Sequence, residues 1–201
     1  KRYDRTLHGS HFIRIHQEDF CQARAIYPHL KYQNDGGPSV EDISNVIWDV
    51  SSDAHHDILT FADALILSFL IAGTDAHAKN YSLLLAQNNQ VRLAPLYDIA
   101  STLPYPLEVS PHKAKLAMKI GSTYQLKKIE PRHWLTCAKQ LRLPHARLME
   151  RFENIVIQIQ TLAPSIASEL NSQGLNHPVI QKLSETITQR ASHIHSQYFS
   201  G

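Results

Sequence analysis

The sequence predicts a mostly helical domain that carries one small β-hairpin. Apolar residues recur at helical spacing over most of the 201 residues, in stretches opened by capping residues or proline and closed by glycine or polar breaks. Two short apolar runs, Tyr81 to Ala86 and Val91 to Leu96, flank the polar turn Gln87-Asn88-Asn89-Gln90 and read as a hairpin. One further short strand is predicted at Phe12-Ile13-Arg14-Ile15.

Taken in order, Gln17 to Ala25 reads as a short helix, and Tyr32 to Pro38 as a loop of turn formers. Ser39 opens a helix, with an acid three residues on as in a capping box. Val40, Ile43, Val46, Ile47 and Val50 mark its apolar face. After a polar break at Ser51 to His56, Asp57 to Ala72 is the most apolar stretch. It predicts a core helix buried all round that stops at Gly73, and it is too short and too interrupted by Asp63 to span a bilayer. Ser101 to Pro111 is irregular, with prolines at 104, 106 and 111. Leu116 to Ile120 is an apolar run. Pro131 opens a helix whose inner side is Trp134, Leu135, Ala138 and Leu141, with Lys139 and Arg142 sharing another face. Arg147 to Thr161 is helical, Pro164 breaks or kinks it, and Gly174 ends the next piece. Pro178 to Tyr198 closes the chain as an amphipathic helix.

The bounds are modest. The formal net charge of +2 announces no nucleic-acid partner by itself. Two cysteines, Cys21 and Cys137, form no disulfide framework and fit a reducing compartment as buried small side chains. No signal-peptide pattern opens the chain. Thirteen histidines invite a zinc reading, but His55-His56 and His193-x-His195 lack the spacing and partners of a zinc site.

Chemistry concentrates in Gly73-Thr74-Asp75-Ala76-His77-Ala78-Lys79-Asn80 and its echo Leu96-Tyr97-Asp98. Folding the hairpin about Asn89 pairs position 80 with position 98. That brings Asn80 and Asp98 to one open end, roughly 5 Å apart by strand geometry. Asp75 sits one short loop upstream. Asn and Asp oxygens suit Mg²⁺, which takes one or two protein ligands and fills the rest with water and phosphate. A free Asp nearby can orient and deprotonate an attacking hydroxyl, the division of labour found in phosphoryl transfer. A polar helix end, with Asp75 and Asn80 only capping it, fits the same residues.

These two stretches, with Ile99, resemble the catalytic core of the HipA family of toxin kinases, bacterial serine/threonine kinases of toxin–antitoxin modules that are distantly similar to phosphoinositide kinases. Lys1-Arg2-Tyr3-Asp4-Arg5, His16 to Gln22, Lys31-Tyr32 with Asp35-Gly36-Gly37-Pro38, Leu116-Ala117-Met118 and Pro131 to Trp134 agree, in the same order along essentially the whole chain. The resemblance implies the C-terminal lobe of such a kinase as a single domain over 1–201, the N-terminal lobe being absent from the chain. It implies ATP and Mg²⁺ as cofactors and Asp75 as the catalytic base. Asn80 and Asp98 would hold the metal. Lys1, Arg2 and Tyr3 at the hinge, with His77, Ala78, Lys79, Asn80, Tyr97 and Asp98, would line the nucleotide. His77 and Lys79 would shape the loop.

The resemblance further implies transfer of the ATP γ-phosphoryl group to a protein Ser or Thr, with the aminoacyl-tRNA synthetases as target class and growth arrest as outcome, in the bacterial cytoplasm. The implied partners are a helix-turn-helix antitoxin of the HipB type and, through that complex, operator DNA touched by Lys139 and Arg142; a solvated basic face fits those two charges equally. By its position after Asp98, Ser101 to Pro111 reads as a substrate-facing or activation segment. No Gly-x-Gly-x-x-Gly occurs to cover the phosphates. Two other classes therefore stay open: a lobe that docks antitoxin or DNA without catalysis, and a metal-dependent phosphohydrolase using Asp75, His77 and Asp98.

Overall fold

The computed structural model describes residues 2–105 and 113–199. Helix dominates. Three small antiparallel sheets accompany it.

The chain starts with a two-stranded hairpin, β1 (Arg5–His8) and β2 (His11–Arg14), with Leu7 opposite Phe12. The predicted strand at Phe12 is thus found, one residue earlier. β3 (His16–Asp19) then runs into a single helical turn, α1 (Phe20–Ala23). The short helix expected over Gln17 to Ala25 is therefore strand up to Asp19 and helical only over Phe20–Ala23. The His16 to Asp19 backbone pairs with the β-hairpin, and that long-range ladder overrides the local helical pattern. Asp19 closes the strand and opens α1 by a reciprocal capping box with Gln22.

Two helices follow, α2 (Val40–Val50) and α3 (Ala54–Leu70). Ser39 caps α2 as its spacing predicts, through a reciprocal bond with Asp42. Asp53 caps α3, so the helix begins three residues earlier than its apolar pattern does. Only the first turn of α3 is solvated. From Asp57 onward its residues are buried or half-buried.

α3 is the beam of the fold because it packs against both the hairpin side and the helical bundle. At its middle, Phe61 meets Tyr81 edge-on at 5.1 Å. Near its end, Phe69 meets Trp134 and Phe152 at 5.6 and 5.9 Å. Each aromatic pair adds about 0.5–1.5 kcal/mol to the area it buries. The helix therefore meets the hairpin side through its middle and the helical bundle at its end.

The hairpin is β4 (Ser82–Leu85) and β5 (Val91–Leu93), and β3 lies on its outer side to give the order β3-β4-β5. It folds about Asn88 rather than Asn89: Leu83 faces Leu93, and Leu85 faces Val91. Both turn asparagines adopt the left-handed conformation, φ 58° and 57°, which Asn tolerates better than most residues. The pairing ends at Leu93, so Asp98 does not stand directly opposite Asn80.

β6 (Lys115–Ile120) and β7 (Thr123–Gln125) make the third sheet. α4 (Pro131–Gln140), α5 (His145–Ser172) and α6 (Pro178–Phe199) complete the chain. In α4, Cys137 is buried with Trp134, Ala138 and the following Leu141, whereas Leu135 faces solvent. The helix stops at Gln140. Arg142 lies past its end at φ 55°, so it shares no helical face with Lys139. α5 runs without a break through Pro164. A proline removes one intrahelical bond, but here it is exposed and α6 lies along the same helix, making the most extensive helix pairing among the described residues. Packing outweighs the single lost bond. On α5 the buried positions are Leu148, Phe152, Val156 and Ala167, while Leu162 is half-exposed.

Candidate functional site

The loop after α3 starts from a helix end with every one of its last carbonyls occupied. Ala72 takes the left-handed conformation at φ 52°, the Gly73 N–H donates to the Ser68 carbonyl at 2.8 Å, and the Ala72 N–H reaches the Phe69 carbonyl. This is a Schellman ending with alanine, rather than the predicted glycine, in the left-handed place. Arg190 of α6 donates to the Phe69 and Leu70 carbonyls, both at 3.1 Å. Ser101 and Thr102 hydroxyls donate to the Ile71 and Ala72 carbonyls at 2.6 and 2.9 Å. The segment that follows Asp98 is thus tied back onto α3. Of the stretch read as a substrate-facing or activation segment, Ser101 and Thr102 cap this helix, and 106–111 lies outside the described residues.

Within the loop the backbone folds on itself. The His77 N–H donates to the Asp75 carbonyl at 2.8 Å, and the Asn80 N–H to the His77 carbonyl at 2.9 Å. Ala78–Asn80 forms one 3-10 turn. The Asn80 amide nitrogen donates to the Asp75 carbonyl at 2.9 Å. That bond uses one end of the carboxamide and leaves its oxygen as the free ligand atom.

Asp75, Asn80 and Asp98 line one cleft, floored by Ala64, Leu67 and Ser68 of α3. The convergence read from the hairpin is therefore present, by a different path. Beyond Leu93 the chain leaves the ladder, and Asp98 turns at φ 55°. Asn, which supplies a neutral oxygen, and Asp, which supplies a charged one, are a donor set that fits a hard divalent cation completed by water and phosphate. Among the described residues no group of three His, Cys, Asp or Glu side chains could hold a metal ion.

Tyr97 joins the two halves. Its hydroxyl donates to the Lys79 carbonyl at 2.7 Å and is met by the Ser82 hydroxyl. Its ring stacks on Tyr3 at 6.4 Å, at the rim of a polar groove also lined by Arg2, Gln17 and Asp19. Arg2 is paired with Asp4; Lys1 lies outside the described residues. Lys79 does not project into the cleft: its ammonium is bound to Asp19 at 2.6 Å and anchors the loop to the β3–α1 junction. Ala78 is fully buried. His77 is buried too, its Nδ1 without a partner among the described residues. Burial, with the Lys31 charge nearby, lowers its pKa, so the ring is neutral at neutral pH. Its Nε2 stands 3.9 Å from Asp75 Oδ1, too far for a hydrogen bond.

Lys139 is exposed on α4, and Arg142 is exposed and donates to Asn45 at 2.6 Å. Two partners of the loop were not identified from sequence. Asp19 reads there only as part of a short helix. Tyr32, whose hydroxyl donates to Asp75 Oδ1, reads as one residue of a turn-rich loop. The signal available for both was their place in stretches that match a family.

The fold is HipA-like. A solved complex from Shewanella oneidensis MR-1, a toxin–antitoxin system of HipA, HipB and operator DNA, superposes with a TM-score of 0.76 at 19% identity, over all of this chain and 48% of that one. At that identity the likeness shows the fold. The family is shown by sequence: a model of the HipA-like C-terminal domain matches residues 1–163, and the chain belongs to that family. Two relatives from Sinorhizobium fredii bear the names "Putative kinase Y4mE" and "Putative kinase Y4dM". The first is 32% identical over 95% of this chain and 44% of its own length. The second is 38% identical over 52% of this chain and 24% of its own length. The chain thus spans less than half the length of these relatives.

Proposed function

We propose that this chain is the catalytic lobe of a serine/threonine protein kinase of a toxin–antitoxin module. The observation that carries the reading is the single cleft shared by Asp75, Asn80 and Asp98, with Asn80 turned so that its oxygen is free. Asn80 and Asp98 would hold Mg²⁺ against the ATP phosphates. Such an ion neutralises charge on the phosphoryl oxygens as the γ-group transfers. Asp75 would accept the proton of the Ser or Thr hydroxyl while the hydroxyl oxygen bonds to phosphorus and ADP leaves. Tyr3 and Tyr97 would border the base of the nucleotide, and buried, neutral His77 would keep the loop in shape. The kinase names of the relatives and the family membership support the class. The aminoacyl-tRNA synthetase target, the HipB-type antitoxin and operator DNA contact through Lys139 and Arg142 belong to the same proposal. The solved complex of similar fold, which contains HipB and operator DNA, supports an antitoxin and operator DNA as partners; the contact through Lys139 and Arg142 rests on the resemblance alone.

Calorimetric titration with Mg-ATP tests it, on this chain and on a protein extended upstream to the length of the relatives. Binding by the extended protein, weakened about tenfold or more by Asp98→Asn, is expected, since a lost charged ligand costs at least ~1.4 kcal/mol. Binding that ignores Asp98→Asn removes the metal site. Absence of binding to the extended protein removes the kinase reading and favours a lobe that only docks.

A further inference from the structure

The loop from Tyr32 to Pro38 has no task in the reading above, yet it is built tightly. The Tyr32 carbonyl takes the N–H groups of Asp35 and Gly37, at 3.0 and 2.9 Å. Gly37 is required there by space: a Cβ would lie 2.1 Å from the Leu30 carbonyl oxygen and 2.8 Å from that of Tyr32. On one side the Ala78 N–H donates to the Lys31 carbonyl at 3.3 Å, tying this loop to the loop of Asp75. On the other the Gln33 side chain accepts the Lys119 N–H at 2.8 Å, tying it to β6. The backbone of Tyr32 is thus held from both sides.

Its side chain goes to the proposed base. The Tyr32 ring stands edge-on to His77 at 5.1 Å, and its hydroxyl donates to Asp75 Oδ1. The bond is the largest cause of a phenol pushed up to about 12. The Asp75 side chain is 59% exposed. Among the described residues, no group donates a hydrogen bond to its Oδ2. A carboxylate so exposed and tied by nothing else would rotate freely in water.

We infer that Tyr32 is the positioning residue of this site: it pins one oxygen of Asp75 and so presents the other to the acceptor hydroxyl. The inference rests on the reading of Asp75 as the base. The hydroxyl touches neither nucleotide ligands nor metal ligands, and its effect is exerted through the carboxylate. Loss of orientation at a reacting group typically costs one to two orders of magnitude in rate.

The test needs no identified acceptor, because water can take its place in slow Mg-ATP hydrolysis by the upstream-extended protein. Tyr32→Phe keeps the ring against His77 and removes only the hydroxyl. Its kcat should fall about 10- to 100-fold, with KM and the calorimetric Kd for Mg-ATP within about twofold of wild type. Added to Asp75→Asn, the same substitution should cost nothing more, since the group it orients is already gone. Unchanged turnover in Tyr32→Phe, a loss matched by a rise in KM, or full additivity with Asp75→Asn would each overturn the inference while leaving the kinase reading intact. Wild-type turnover by Asp75→Asn would instead overturn the assignment of the base, and the inference with it.

Discussion

Replacing Asp57 should unlock the hairpin from α3. This carboxylate is buried, with 2% of its side chain exposed, in the first turn of α3. It accepts from Arg92 Nε and Nη2 at 3.1 and 2.9 Å, from the Leu93 N–H at 2.7 Å and from the Ser51 hydroxyl at 2.6 Å. Arg92 and Leu93 belong to β5, so the group clamps strand to helix. Breaking one side of a buried ion pair costs about 3–5 kcal/mol. Arg92 remains 40% exposed and can rehydrate, whereas the Leu93 N–H stays buried and would lose its acceptor, itself worth ~1–3 kcal/mol. Asp57→Ala should therefore sit at the lower end, about 3–4 kcal/mol, in urea unfolding followed by circular dichroism at neutral pH.

The pH dependence follows from the same contacts. Burial alone would raise the Asp57 pKa, but the bonds from Arg92, Ser51 and Leu93 outweigh it and hold the group below the usual carboxylate range. A group whose folded pKa is depressed contributes fully above its unfolded value, about 3.9, and loses that contribution as pH falls through the folded value. The gap between wild type and Asp57→Ala should thus be constant near neutrality and close below about pH 4. A loss under ~1 kcal/mol at pH 7, or a gap that widens on acidification, would refute the clamp.

Arg190→Ala should destabilise the protein by about 1–3 kcal/mol, because the Leu70 carbonyl at the end of α3 loses its donor and the Phe69 carbonyl keeps only the Ala72 N–H, and urea unfolding measures it. A loss within ~0.5 kcal/mol would show that water replaces the guanidinium there. Cys137 is fully buried and its thiol is pushed up to about 12 by that burial; iodoacetamide at pH 8 should leave it unmodified in the native protein and alkylate it in urea. Native labelling of Cys137 on the same timescale would contradict the packing of α4.

Local signals carried much of this fold because they are local in cause. The capping box at Ser39, proline at the start of α4, the apolar run of α3 and the two-asparagine turn each act within a few residues of themselves. That Asp75, Asn80 and Asp98 share one cleft was legible in outline, but not its cause: the ladder ends at Leu93, and a left-handed turn at Asp98, not strand pairing, brings that residue in. Where a local pattern met a long-range partner, the partner prevailed. His16 to Asp19 became a strand because β4 offered a ladder, and α5 passed through Pro164 because α6 packs along it.

By itself, then, the sequence determined the class, the helical core and the polar loop with its three oxygen-bearing side chains. Only the tertiary structure decided what holds those side chains. Tyr32 reaches Asp75 across 43 residues, Asp19 reaches Lys79 across 60, and Arg190 reaches Leu70 across 120. No periodicity links residues so far apart in the chain; their meeting is fixed by how α3 packs against the hairpin at Phe61 and against the bundle at Phe69.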